Sequence, residues 1–193
     1  MLKKFSILFL LSSSLFLTAC FGSDTNDTGT NSTIVGREYS GQNYSILVPM
    51  DWEIIEQNKF TSSIPADIDV GFRSNIKNET FTANTSIAIN SFEEDIQIKD
   101  FALATLSKAR KNLYAFKEIS FNEDTVDSTI GPLSSYVMEF EGRKTSKDSL
   151  VKFIQVFVEK NKIIYTITGA YAENEDESIV KTLIEMINSF TLK

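Results

Sequence analysis

Apolar and polar residues alternate with a period of two along most of the chain from Tyr39 onward. This alternation is typical of strands in which one face is buried, since successive side chains point to opposite sides of a sheet. It predicts eight strands: Tyr44–Val48, Trp52–Glu56, Ile68–Arg73, Ser86–Phe92, Lys117–Phe121, Leu133–Glu141, Leu150–Glu159 and Lys162–Ala170. Lys160 and Asn161 between the last two indicate a tight hairpin.

Two segments have the spacing of an amphipathic helix instead. In the first, Asp100 is a suitable N-cap for a helix that continues to Phe116. Its apolar face has the residues Phe101, Thr105, Ala109 and Leu113. The second helix follows Asp176 or Glu177, and we expect Lys181 and Glu185 to pair on its surface. Its apolar face has the residues Ile179, Leu183, Ile187 and Phe190.

The order of elements is strands, helix, four strands, helix. Such an order favours an α+β fold, in which helices pack on an antiparallel β-sheet. The segment 152–160 has apolar residues on both of its faces, which predicts a central strand covered from two sides. The segments 58–66 and 74–84 are predicted loops, and loops often carry function.

The first twenty residues have the features of an export signal. Lys3 and Lys4 precede an apolar stretch, Phe5–Phe16, that is short and rich in serine. The chain has a single cysteine, which rules out an intramolecular disulfide.

The residues around that cysteine resemble the bacterial lipobox: Leu17, Thr18, Ala19 and Cys20. The resemblance implies a signal peptide over residues 1–19 and lipid (palmitate-type) attachment at Cys20. The mature protein would then be held at the cell membrane by its acyl chains, on the extracytoplasmic side. The alternative is a plain cleavable signal with a cysteine at the cleavage site.

The segment 20–38 is rich in Ser, Thr, Asn, Asp and Gly. It cannot bury enough apolar area to fold, so we predict that it is a flexible linker between the lipid anchor and the rest of the chain. The globular domain is then predicted over residues 39–193.

Charge and composition narrow the range of functions that we expect for the chain. A net charge of −7 disfavours nucleic acid as a partner, because phosphate binding needs clustered Lys and Arg. The chain has no histidine, the commonest general base and metal ligand, so we expect no enzymatic activity and no cofactor.

Acidic clusters occur at 93–95, 123–127 and 173–177. They are interpreted as solvated turns and a helix start, with a calcium site as the alternative.

Particular residues resemble the PsbP-like family. The first motif has Tyr44, Ile46, Val48 and Pro49, followed by Trp52. The second is near the end of the chain: Lys162, Ile164, Tyr165, Ile167 and Thr168, then Ile187, Ser189 and Phe190. The resemblance implies an antiparallel sheet sandwiched between helices (an α/β/α sandwich). It also implies a role in binding or assembly rather than catalysis.

The function expected from these features is a membrane-anchored lipoprotein that binds a protein partner or supports an envelope complex. A small-molecule or ion-binding lipoprotein associated with transport is the alternative, and a carboxylate-dependent hydrolase is a third hypothesis. Trp52 has two possible roles, as a core residue where the chain turns after Pro49 or as the wall of a binding site.

Overall fold

The computed structural model describes residues 34–60, 65 and 67–193. Its elements are β1 Gly36–Ser40, β2 Tyr44–Pro49, β3 Trp52–Glu56, a 3-10 turn Gln57–Lys59, β4 Ile68–Ser74, β5 Asn84–Ser91, α1 Ile98–Asn112, β6 Tyr114–Val126, β7 Leu133–Arg143, β8 Val151–Lys160, β9 Ile163–Ala172, α2 Glu177–Asn188 and β10 Thr191–Leu192. The predicted signal peptide, the lipobox (Leu17, Thr18, Ala19) and Cys20 lie outside the described residues.

Seven strands form one antiparallel sheet in the order β3-β4-β5-β9-β8-β7-β6. A smaller sheet has the order β1-β2-β10, and both outer strands pair antiparallel with β2. The two helices and the mainly antiparallel sheets confirm the predicted α+β class.

The large sheet is buried on both faces. On β8, Val156 and Val158 belong to the main core, whereas Phe157 between them belongs to a second core under α1. Helix α1 packs on β6, β7 and β8, and α2 packs on β9, β5 and β2. The two helices therefore lie on opposite faces of the sheet, as the two apolar faces of segment 152–160 predict.

Tyr44 connects the small sheet to the large one. Its ring is buried, stacks on Phe190 at 5.4 Å between centroids and lies 6.1 Å from Tyr165. Its hydroxyl donates to Asp69 Oδ2 at 2.7 Å. Burial, together with this hydrogen bond, raises the pKa of Tyr44 above its ordinary value. The tyrosine therefore contributes as a neutral core side chain with a satisfied polar end.

Several element boundaries differ from those predicted. Strand β1 begins at Gly36, inside the segment assigned to the linker, because an edge strand held by backbone hydrogen bonds needs no apolar alternation. Helix α1 begins earlier than predicted: Gln97 is its N-cap, and Asp100 lies in its first turn. The helix ends at Asn112, Leu113 is its C-cap, and β6 begins at Tyr114.

Strand β6 is much longer than the predicted 117–121. It includes Glu123 and Asp124, which were interpreted as part of a turn; they fit because β6 is an edge strand with a largely exposed surface. The hairpin turn also lies one residue later, since Asn161 and Lys162 are the residues with positive φ. β10 has only two residues, too few to show a periodic pattern.

Gly169 on β9 allows α2 to approach the sheet closely. A Cβ atom at this position would lie 2.5 Å from Leu183 Cδ2 and 2.7 Å from Ile187 Cδ1. Both leucine and isoleucine are buried on the apolar face of α2. The position of α2 on the sheet therefore depends on the missing side chain.

We predict that Trp52→Ala lowers the free energy of unfolding by about 3–5 kcal/mol, because Trp52 is 3% exposed within the main core and its removal leaves a cavity. Met50→Ala is the matched control: Met50 lies two residues away and is 59% exposed, so its loss should cost less than about 0.5 kcal/mol. Urea denaturation measures both. Equal stabilities for the two variants would contradict the core assignment.

We predict that Gly169→Ala destabilises the fold by about 1–3 kcal/mol, because the new methyl group overlaps two buried side chains of α2. Gly71→Ala on β4 is the control, since its Cβ would meet Phe60 at an ordinary 3.5 Å. The control should change stability by less than about 0.5 kcal/mol. An unchanged melting temperature for Gly169→Ala would show that α2 does not pack as described.

Candidate functional site

A groove of about 610 Å³ lies beside α2, where the helix meets strands β8 and β9. Lys152 of β8 and Tyr171 of β9 form its floor, and α2 contributes Val180, Lys181 and Ile184 to its wall. Its size falls within the range of ligand-binding clefts, roughly 300–1,000 Å³.

Sheet register explains why the floor residues meet. Lys152 is the Cα partner of Tyr171 on one side and of Glu141 on the other, so the three side chains share a face. Ile154, two residues further on β8, pairs with Gly169, the residue that α2 covers. The floor therefore continues the face on which α2 packs, just beyond the edge of the helix.

The groove has an apolar strip. Ile184 is 38% exposed, although four other apolar residues of α2 are buried: Ile179, Leu183, Met186 and Ile187. Val180, one turn earlier, and the ring of Tyr171 are half-buried beside it. Residues at i and i+4 of a helix are neighbours on its surface, so Val180 and Ile184 are adjacent, and Tyr171 lines the same groove.

Carboxylates surround this strip. Four line the groove: Glu173, Glu175, Glu177 and Glu185. The predicted pair of Lys181 and Glu185 is confirmed, with Nζ and Oε1 3.7 Å apart. Glu139 and Glu141 face the same side from β7, and Glu141 Oε1 is 3.5 Å from Lys117 Nζ.

The surroundings of the groove affect the pKa of Tyr171 and the hydrogen bonding of Glu175. Burial raises the pKa of Tyr171, and the carboxylates of Glu139 and Glu141 raise it further. In Glu175, Oε1 accepts a hydrogen bond from the backbone N–H of Asp176, whereas Oε2 is buried with no hydrogen-bond donor among the described residues. A buried carboxylate oxygen is costly to leave unpaired, and Oε2 of Glu175 is closed to solvent in this position.

The first turn of α2 holds one end of the groove in place. Asp176 is the N-cap, and its Oδ1 accepts a hydrogen bond from the Ser178 backbone N–H at 2.8 Å. Hydrogen bonds from the Ser178 hydroxyl and backbone lower the pKa of Asp176, so the carboxylate is charged at neutral pH. This negative group at the helix N-terminus also suits the helix dipole.

The fold-signature residues from the sequence do not line this groove. Tyr44, Pro49 and Trp52 are all buried, and Tyr44 and Trp52 belong to the main core. The carbonyl of Trp52 accepts a hydrogen bond from Arg37 Nη2 at 3.0 Å, which ties β1 to the start of β3. Trp52 therefore lies in the core rather than in the wall of the groove.

The predicted acidic clusters have different positions. Glu173, Glu175 and Glu177 belong to the groove, whereas Glu123 and Asp124 lie on edge strand β6. Asp95 is 3.5 Å from Lys162 at the opposite end of β9. In residues 34–60, 65 and 67–193, no group of three or more acidic or cysteine side chains is arranged to hold a metal ion.

The groove was not predictable from local sequence. Local sequence indicates only the acidic cluster 173–177, whereas tertiary packing places this cluster beside Lys152, Tyr171 and α2. Within the described part of the chain, neither helix is long and apolar enough to cross a membrane.

Known proteins of similar structure share the fold. CyanoP, the cyanobacterial PsbP of Synechocystis sp. PCC 6803, is 18% identical, with a TM-score of 0.55 over 90% of this chain and 99% of that one. LpqN of Mycobacterium tuberculosis, described as involved in cell envelope biogenesis, is 13% identical, with a TM-score of 0.59 over 83% of this chain and 87% of that one. PA94 of Pseudomonas aeruginosa, of unknown function, is 13% identical, with a TM-score of 0.52 over 80% and 94%.

No curated protein sequence shows significant similarity to this chain. The sequence model of the PsbP family, in contrast, matches residues 36–192, which span every strand and both helices of the structure. The chain belongs to the PsbP family.

Proposed function

We propose that this protein is a membrane-anchored bacterial lipoprotein whose PsbP domain binds a protein partner in the cell envelope. The α2 groove is the proposed docking site. The observation that carries this proposal is the partly exposed apolar strip of Ile184, Val180 and Tyr171, which is surrounded by carboxylates. An apolar centre with a polar rim is the usual anatomy of a protein–protein interface.

The membrane anchor is supported by the sequence. Leu17, Thr18, Ala19 and Cys20 follow a basic and then apolar start, and Cys20 is the single cysteine of the chain. An acidic body is repelled by anionic lipid, so the domain would be tethered to the membrane rather than adsorbed on it. The envelope role described for LpqN, which has the same fold, agrees with this location.

A binding role agrees with the chemistry of the domain. The PsbP family is generally non-catalytic. In this chain no histidine is present to act as a base. Among the described residues, the pKa shifts that are resolved belong to buried or hydrogen-bonded tyrosines and to the helix cap Asp176, and each has a structural cause. A raised tyrosine pKa makes the phenol a poorer nucleophile at neutral pH.

The size of the α2 groove also suits a small molecule, which was the alternative hypothesis. Small-molecule sites are mainly apolar and enclosed, however, with few charged groups. Here four carboxylates and two lysines line the groove. This composition supports the surface of a protein partner better than an enclosed ligand.

We predict that Cys20→Ser moves the full-length protein from the membrane fraction to the soluble fraction and abolishes its labelling by radioactive palmitate. Two or three acyl chains are needed for stable anchoring, and the serine variant can receive no thioether-linked lipid. Cell fractionation with immunoblotting measures the first effect. Wild-type distribution of the variant would overturn the proposed anchor.

We predict that a photo-crosslinking amino acid at position 184 of the full-length, anchored protein gives a discrete adduct with an envelope protein. The same amino acid at Leu103 is the matched control: Leu103 is 43% exposed on α1, which is similar to the 38% of Ile184 on the opposite face. Immunoblotting after irradiation of intact cells measures both. Adducts of the same size at both positions, or at neither, would contradict docking in the α2 groove.

A further inference from the structure

We infer that the occupant of the α2 groove is a cationic, amphipathic segment of the partner protein. This inference rests on the proposed docking function and specifies the chemistry that the site recognises. The segment would place apolar side chains on Ile184 and Val180 and its Lys or Arg groups against the carboxylates around them.

The first support is the charge of the groove. Of its four carboxylates, Glu185 is paired with Lys181, which leaves Glu173, Glu175 and Glu177 with Lys152 as the remaining cation of the lining. No ion pair within 4 Å connects these four among the described residues. On the floor side Glu139 adds negative charge, whereas Glu141 is paired with Lys117 at 3.5 Å. The groove is therefore negative overall, which favours a cationic partner.

The second support is Glu175. Its Oε2 atom is buried and has no donor among the described residues. This atom is closed to solvent, so a guanidinium or ammonium group of a partner reaches it only if the Glu175 side chain turns into the groove, where a charge-assisted hydrogen bond would remove the cost of the unpaired oxygen. An anionic partner would instead add a second negative charge beside it.

The third support is the apolar strip, which distinguishes an amphipathic segment from a simple polycation. Ile184 and Val180 are one helical turn apart, so they match apolar residues at similar spacing on the partner. A small cation such as a polyamine would satisfy the carboxylates but would leave this strip uncovered. Charge and apolar contact together need a peptide segment that has both.

The two helices also differ in charge. The segment 98–112 of α1 has four basic residues and one acid: Lys99, Lys108, Arg110, Lys111 and Asp100. Helix α2, Glu177–Asn188, has two acidic residues and one basic residue: Glu177, Glu185 and Lys181. Because α1 and α2 lie on opposite faces of the sheet, the field of the domain steers a cationic segment toward α2 and away from α1.

Three synthetic peptides of about 15 residues test the inference by fluorescence anisotropy with the full chain in detergent at about 0.15 M salt. One has Lys and Leu at amphipathic helical spacing, the second replaces Lys by Glu, and the third replaces Leu by Ser. We expect the Lys/Leu peptide to bind at least about tenfold more tightly than either of the others. Equal binding of the Lys/Leu and Lys/Ser peptides would overturn the amphipathic requirement, and binding of the Glu/Leu peptide would overturn the cationic one.

Charge reversal locates the binding. The double variant Glu173→Lys and Glu177→Lys should weaken the Lys/Leu peptide by about tenfold or more. The matched control, Glu93→Lys and Glu94→Lys, makes the same change in net charge at the other end of β9 and should change affinity by less than about twofold. All four glutamates are exposed, so both variants should fold, which circular dichroism checks. Equal losses in the two variants would show that only net charge matters and would overturn the inference.

The position-184 adduct separates this inference from the proposed function. Mass spectrometry of the crosslinked peptide should identify a partner segment with net positive charge and apolar residues. An adduct on an acidic or neutral segment would overturn the cationic inference and leave the docking function in place. An adduct between two copies of this chain would overturn both the inference and a separate protein partner.

Discussion

The constraint on which the structure depends is the burial of the central strands on both faces. Phe157 points to one side of β8, and Val156 and Val158 point to the other. Exposing the apolar side chains of either face to water is unfavourable, so each face of the sheet must be covered by another element. Helix α1 supplies one cover, and α2 with the small sheet supplies the other. A seven-stranded sheet is about 30 Å wide, whereas a helix is only about 10–12 Å across. One helix therefore cannot cover a whole face, and the α2 groove lies where the cover ends.

The small sheet completes the second cover, and this explains the sequence around Tyr44. Tyr44, Ile46 and Val48 point inward from β2 and are buried, and Phe190 after α2 stacks on Tyr44. The chain then turns after Pro49 and enters the large sheet at Trp52, which is buried in the same core. The motif thus marks the point where the chain passes from one sheet to the other. Its residues are selected by packing, which is why they identify the fold and not the partner.

Sequence alternation was sufficient for the interior of the fold. The predicted strand Trp52–Glu56 has the observed bounds of β3, and the apolar face of the second helix is buried as expected, because buried faces impose a period on the sequence. Elements without a buried face were predicted poorly: β1 was assigned to the linker, and most of β6 was missed. The groove is likewise a feature that sequence alternation does not predict. Its carboxylates are separated by 20 or more residues from Lys152, and only the register between β8 and β9 and the packing of α2 on Gly169 bring them together.

The acidic residues around α2 have a structural explanation and a functional one, and the two are compatible. Asp176 and Glu177 stabilise the start of the helix through the cap and the helix dipole, and solvated acids there would need no further explanation. That explanation does not extend to Glu175, whose Oε2 is buried without a donor among the described residues, or to Glu139, which lies on the sheet. Glu141, on the same strand, is paired with Lys117. Carboxylates from three separate elements converge on the side of the sheet where α2 leaves an apolar strip exposed. Helix capping accounts for the first turn alone, and the proposed recognition of a cationic, partly apolar segment would account for the unpaired carboxylates beyond it.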